Sequence, residues 1–181
     1  GYTYENDRIK TVSHNTASDA ENDVTYTFEY DSLGRKTNVK VGTQTLSTNV
    51  YENDRAGLLS EVQYGNGGKV QYAYDDFDRL TGVRYDDETA DRYTYQYGAN
   101  GHAAVVQDTN LGTTCRTEYD LSDRPCRTEK LDSDGEQVQE TNLKYDKLGN
   151  LAQFTEKVSG AGTHRSSYTY DRDNRITEIA Y

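Results

Sequence analysis

Neither tryptophan nor methionine occurs among the 181 residues, proline occurs once, at Pro125, and phenylalanine and isoleucine occur three times each. Leu, Ile, Val and Phe together supply 29 side chains, too few for an ordinary aliphatic core. With a net charge of −11, such a composition taken alone describes a disordered chain. Basic residues are also scarce, 20 Lys and Arg against 31 Asp and Glu, which opposes nucleic-acid binding because that needs a basic footprint. No apolar run approaches the roughly eighteen residues of a membrane-spanning helix, so direct membrane insertion is not expected. No signal peptide lies at Gly1, and any export signal is expected to lie outside this stretch.

The usual signatures of chemistry are missing as well. His14, His102 and His164 stand at unrelated positions without metal-ligand spacing, so no metal and no cofactor is expected. Serine is present without a Gly-x-Ser-x-Gly elbow, and Gly65-Asn66-Gly67-Gly68 lacks the following helix that would make it a phosphate cradle. Leu131-Asp132-Ser133-Asp134-Gly135-Glu136 has two alternating aspartates and a glycine but no late bidentate Glu, so it is not an EF-hand loop. No catalytic residue is named, and the chain is read as a non-enzyme.

What the chain does contain is tyrosine, seventeen copies, and they recur in register. A Tyr stands before a turn-forming block at positions 4, 30, 51, 74, 97, 119, 145 and 170, a period of 21 to 26 residues. Such self-similarity marks a repeat architecture. Aromatic residues alternate with polar ones ahead of each block, as in Tyr26-Thr27-Phe28-Glu29-Tyr30 and Tyr93-Thr94-Tyr95-Gln96-Tyr97. A period of two places them on one face of a strand. The blocks themselves, such as Asp31-Ser32-Leu33-Gly34 and Asp146-Lys147-Leu148-Gly149, reverse the chain, because Asp bonds backbone two residues on and Gly accepts positive φ. A second short strand follows, so each repeat reads as one β-hairpin. Each Tyr buries roughly 150–250 Å² and keeps a hydroxyl for hydrogen bonding, which answers the missing aliphatics. Residues 1–181 thus read as a single array of about eight hairpins with no separate domain. Hairpins are marginal alone and must pair with their neighbours into one curling antiparallel sheet.

Tyr30-Asp31-Ser32-Leu33-Gly34-Arg35 and Tyr145-Asp146-Lys147-Leu148-Gly149-Asn150 carry the motif Tyr-Asp-x-x-Gly-(Arg/Asn) intact, and Tyr74-Asp75 with Arg79, Tyr119-Asp120 with Arg124, and Tyr170-Asp171 with Arg175 carry it with Asp or Asn in place of Gly. These repeats resemble the YD repeats of Rhs and cell-wall-associated Rhs-like bacterial proteins, which are related to those of teneurins and toxin-complex shell proteins. The resemblance covers essentially the whole chain. It implies an all-β fold in which tandem hairpins form a curved, spiralling antiparallel sheet, here an open fragment of a larger β-shell. It also implies a secreted, cell-surface or cell-wall-associated scaffold that supports or encapsulates a C-terminal toxin in intercellular competition. The implied partners are the remainder of the parent polypeptide, including a toxin domain, and carbohydrate. The competing function is a carbohydrate- or cell-surface-binding adhesion module. Asp-Pro motifs of the self-cleaving core of long family members do not occur, since Pro125 follows Arg124. The absence of Met and the start at Gly1 agree with a piece excised from a longer polypeptide.

Two further expectations concern side chains. Arg8, Arg35, Arg55, Arg79, Arg124 and Arg175 fall at equivalent positions, so each is expected to pair with an Asp of its own or the adjacent turn, forming a charged ladder, with a sugar- or phosphate-binding stripe as the alternative. Cys115 and Cys126 flank the sixth turn and, if Tyr119 opposes Arg124, stand diagonally on one face as candidates for a disulfide.

Overall fold

The computed structural model describes residues 1–14, 23–54 and 57–181, and among these it contains sixteen β-strands and no helix. The chain divides into two compact units, Gly1–Asp91 and Arg92–Tyr181. The first holds β1 (Tyr2–Glu5), β2 (Arg8–His14), β3 (Val24–Tyr30), β4 (Lys36–Val41), β5 (Gln44–Tyr51), β6 (Leu59–Tyr64), β7 (Lys69–Tyr74) and β8 (Leu80–Tyr85). The second holds β9 (Tyr93–Tyr97), β10 (Ala103–Asp108), β11 (Thr113–Tyr119), β12 (Pro125–Leu131), β13 (Gln137–Tyr145), β14 (Leu151–Val158), β15 (Gly162–Tyr170) and β16 (Ile176–Ala180). Within each unit the strands pair antiparallel in chain order. Every tyrosine singled out by the repeat ends the first strand of a hairpin, or stands next to its end in the case of Tyr4.

The register separates two faces. Phe28 opposes Val39, Tyr72 opposes Val83, Tyr95 opposes Val106 and Leu143 opposes Phe154, giving one aromatic and aliphatic face. Between them, Glu29 opposes Asn38, Gln71 opposes Arg84 and Lys144 opposes Gln153 on a polar face. Among the described residues of each unit no second layer covers either face, so burial is shallow. The buried hydrophobic side chains among the described residues are Val70, Val83 and Leu131, each still about 7% exposed, and Ser166 is the buried polar one, with its hydroxyl 3.2 Å from His164 Nε2. Cross-strand pairs, each worth roughly 0.2–1 kcal/mol, therefore carry much of the stability that a second layer supplies elsewhere.

All eight hairpins share an irregularity that period-two reading does not anticipate. The register shifts just before the turn tyrosine, so that Tyr30 opposes Lys36 while Glu29 opposes Asn38, leaving Thr37 as an extra residue. The same β-bulge leaves Lys10, Ser60, Thr81, Ala104, Cys126, Ala152 and Thr177 unopposed. A bulge of this kind bends the strand and increases its twist.

This bulge corrects the disulfide expectation. Tyr119 opposes Pro125 rather than Arg124, Thr117 opposes Thr128, and Cys115 opposes Lys130. Cys126 thus lies four positions along β12 from the residue facing Cys115, about 13 Å at the usual strand rise, well beyond disulfide reach. Both cysteines are free, and Cys126 Sγ donates to the Glu118 carbonyl at 3.4 Å.

Because burial is concentrated in so few side chains, Leu131→Ala is expected to cost about 2–3 kcal/mol, as for other core truncations. Leu121→Ala, at a fully exposed turn position, should stay within about 0.5 kcal/mol of the parent. Urea unfolding of the two variants measures the difference.

Candidate functional site

The repeated feature with the most organised polar geometry is the turn after each tyrosine. Asp31 Oδ1 accepts the backbone N–H of Leu33 and of Arg35, both at 2.9 Å, while Oδ2 accepts Arg35 Nε at 2.7 Å. The Asp31 N–H donates to the Arg35 carbonyl at 3.0 Å, and Gly34 N–H donates to the Asp31 carbonyl at 2.9 Å. One carboxylate thereby closes the backbone of the turn and pins the guanidinium that leaves it. Asp75 does the same with Phe77 and Arg79, Asp120 with Ser122 and Arg124, and Asp171 with Asp173 and Arg175. At Asp146 the guanidinium is replaced by the Asn150 amide, which reaches Asp146 Oδ2 at 3.1 Å and Asn174 Oδ1 of the next hairpin at 2.9 Å. The fourth turn residue is left-handed in each, with φ of 79° at Gly34, 92° at Gly149, 61° at Asp78, 58° at Asp123 and 60° at Asn174, which explains why only Gly, Asp and Asn occur there.

These bonds shift the carboxylates. Side-chain hydrogen bonds from Arg79 and Arg124 are the main cause holding Asp75 and Asp120 below the ordinary carboxylate range. At Asp171 the chief cause is the Arg175 backbone N–H. At Asp31 and Asp146 desolvation is the largest influence and pushes upward, but the backbone and side-chain donors of Arg35 and Asn150 together outweigh it and the net shift is downward.

A second set of contacts runs between hairpins. The hydroxyls of six turn tyrosines cross to the preceding hairpin and donate to the carbonyl of the residue just before that hairpin's bulge. Tyr30 donates to Ile9, Tyr51 to Lys36, Tyr74 to Leu59, Tyr119 to Ala103, Tyr145 to Pro125 and Tyr170 to Leu151, all between 2.8 and 3.0 Å. Each of these acceptors is the residue that opposes the tyrosine of its own hairpin, so one clasp hands on to the next. The guanidinium already pinned by Asp lies against the ring of that incoming tyrosine, Arg35 at 4.4 Å from the Tyr51 centroid and Arg124 at 4.2 Å from Tyr145. In the fifth hairpin, where the arginine position holds His102, the imidazole stacks on Tyr119 at 4.9 Å. Desolvation raises the Tyr74 phenol above its usual value, so its hydroxyl keeps the proton that the clasp needs.

Three of the eight copies depart from the pattern, the third because Glu52 follows Tyr51 where the five regular copies have Asp. The first hairpin closes through Asn6 and Asp7, both left-handed at φ 51° and 60°, a two-residue turn with no room for the clasping Asp. Arg8 consequently makes no ladder pair with an aspartate. It donates to the Asn6 carbonyl at 3.4 Å and lies 5.9 Å from the Tyr30 centroid, packed against Gly34 so closely that a Cβ there would collide with it. In the fifth, Gly98 takes the place of Asp and Asn100 Oδ1 caps His102 N–H instead. Arg55 lies outside the described residues.

The six-residue stretch from Leu131 that has the look of half a calcium loop folds as one more turn of this kind. Asp132 Oδ1 accepts Asp134 and Glu136 N–H at 3.0 and 2.9 Å, and Gly135 sits at φ 81°. Its Asp-x-x-Gly spacing is that of Asp31–Gly34, which is the signal in the sequence. No group of His, Cys, Asp and Glu able to hold a metal occurs among the described residues. The carbonyl acceptors of the clasp carry no sequence signal, since any residue supplies a backbone oxygen.

Two outcomes test this geometry. Tyr74→Phe should lose about 1 kcal/mol, the typical worth of one hydrogen bond, while Tyr64→Phe, with an exposed ring, should be neutral by thermal unfolding. A carboxylate whose pKa is depressed in the folded state contributes stability that is present above its unfolded value near 4 and is lost as pH falls through the folded value. The stability gap between the parent chain and Asp120→Asn should therefore be widest above about pH 5 and close toward pH 2, measured by urea unfolding across that range.

A family model described as teneurin YD-shell matches residues 4–176. No curated relative matches by sequence. Among solved structures the chain is similar to the Tc holotoxin pore of Photorhabdus luminescens, at 13% identity and a TM-score of 0.66, covering 95% of this chain and 8% of that one. It is likewise similar to the TcdB2-TccC3 crystal structure, at 13% identity and a TM-score of 0.62, covering 95% of this chain and 11% of that one. The chain thus spans about a tenth of the length of the structures it matches.

Proposed function

The chain belongs to the teneurin YD-shell family, and on that premise we propose that it is a non-catalytic stretch of shell wall in a secreted or surface bacterial protein. In this reading residues 1–181 act as a single array that, with the rest of its parent polypeptide, supports or encloses a C-terminal toxin used in intercellular competition. The observation that carries the reading is where the tyrosines spend their chemistry. Six turn tyrosines have their hydroxyls committed to the neighbouring hairpin, and the rings of Tyr51, Tyr119 and Tyr145 lie under a guanidinium or imidazole. Such rings are spent on joining repeats and are not free to stack on a sugar, which favours a wall over an adhesion module.

The repeating clasp also suits a wall physically. It makes each hairpin depend on its neighbours alone, so the array can be extended without a central core. The similar structures include a Tc holotoxin pore, in keeping with a parent that carries a toxin.

The reading is tested in the parent polypeptide by limited proteolysis. With the wall intact, the segment that follows it should resist protease; with Tyr119→Ala and Tyr145→Ala combined, the same segment should be degraded while remaining synthesised at full length. Equal degradation in both proteins, or binding of the isolated 181-residue chain to a glycan array with loss on Tyr145→Ala, would overturn the scaffold reading.

A further inference from the structure

On the polar face, cations are answered by carboxylates from neighbouring strands or loops. Lys40 meets Glu29 at 2.5 Å and Arg84 meets Asp91 at 3.5 Å in the first unit. In the second, Arg116 lies 3.9 Å from Glu129, and Arg127 is held between Glu118 at 2.9 Å and Glu140 at 2.7 Å. The pattern breaks across β13, β14 and β15. There, Asn142, Lys144, Gln153, Thr155 and Arg165 line a concavity of about 220 Å³ with no acid among them.

The register explains how they gather. Lys144 opposes Gln153, Asn142 opposes Thr155, and Thr155 opposes Arg165, so the five side chains project from three adjacent strands on one face. Among the described residues neither Lys144 nor Arg165 has a carboxylate partner. The acid standing nearest in register, Glu140, already accepts Arg127 Nε and the Asn142 side chain, and these bonds, Arg127's foremost, depress its carboxyl below the ordinary range. In a chain of net charge −11 this leaves two cations facing one hollow, neither with an ion-pair partner of its own among the described residues.

We propose that this concavity binds a carboxylate carried by an acidic peptide segment. Arg165 offers the planar fork that engages a carboxylate through two parallel hydrogen bonds, and Lys144 adds a mobile point charge from the other side. Gln153 presents a donor and an acceptor, the complement of a peptide group, and Asn142, whose amide N–H donates to Glu140, keeps its oxygen as an acceptor. No aromatic ring lines the hollow to serve as a platform for a sugar, and no helix N-terminus or cluster of backbone N–H groups lines it to cradle a phosphate. The ligand would supply the missing member of the ion-pair mosaic that the rest of the polar face completes internally.

The test is an amide chemical-shift titration of the isotopically labelled 181-residue chain with a triglutamate peptide blocked at both ends. Saturable shifts are expected at residues 142–144, 153–155 and 165, weakening as salt is raised. Lys144→Gln and Arg165→Gln should each weaken binding by about fivefold or more, Lys144→Arg should retain it, and Lys147→Gln, at an exposed turn cation, should leave it unchanged. Dispersed spectra of the glutamine variants establish that they remain folded. Shifts that do not saturate, that follow every exposed cation alike, or that persist unchanged in both glutamine variants would overturn the proposal. So would tighter saturation by glucuronate or by inorganic phosphate, added in place of the peptide.

Discussion

The hydrogen bond from a tyrosine hydroxyl to a backbone carbonyl of the preceding hairpin is the contact on which the rest of this fold depends. It is made six times with nearly constant length, and each acceptor lies beside a β-bulge. The bulge is therefore part of the device. By inserting one residue after the turn it re-aims the strand and sets a carbonyl where the next tyrosine arrives. The aspartate fixes the turn, the turn fixes the arginine, and the arginine covers the ring that brings the hydroxyl. Removing any one element loosens contacts both within its own hairpin and to its neighbour.

This arrangement answers the compositional poverty of the chain. Three buried hydrophobic side chains among the described residues are far too few to hold a globular domain, and burial elsewhere is partial. Amphipathic rings suit a one-layer sheet because they pack along the sheet surface while their polar tips are satisfied by backbone. Charge follows the same economy. Aspartates that would repel one another in an acidic chain are each held by donors of their own turn, and most cations of the polar face are paired across strands.

Much of the fold was legible because its period is local. Tyr26-Thr27-Phe28-Glu29-Tyr30 followed by Asp31 to Gly34 contains both the strand alternation and the reversal that ends it, and the same logic places all eight hairpins. Asp31 and Arg35 are recognisable as partners in kind, since four residues separate a carboxylate and a guanidinium around a turn. What was not legible depends on backbone geometry. Nothing in the sequence distinguishes Lys36 as the acceptor for Tyr51, or Thr37 as an unopposed residue, and the turn one residue longer at Tyr119 together with the bulge at Cys126 carries the cysteines apart. Arg8 is equivalent to Arg35 in kind, yet one residue fewer between the tyrosine and the arginine deprives it of a clasping aspartate. The Asp132 turn was harder for the opposite reason, because its spacing fits two chemistries and it lacks the tyrosine that marks the others.

The central claim is energetic coupling between consecutive hairpins through the arginine, aspartate and tyrosine. A double-mutant cycle of Arg124→Met and Tyr145→Leu, followed by urea unfolding of the 181-residue chain, measures it most directly. The account predicts a coupling of about 0.5–1 kcal/mol, in line with a partly exposed guanidinium–ring contact, with each single variant destabilised. Strict additivity, with the effect of Tyr145→Leu unchanged by removal of Arg124, would contradict it and reduce the recurring geometry to packing without interaction between the repeats.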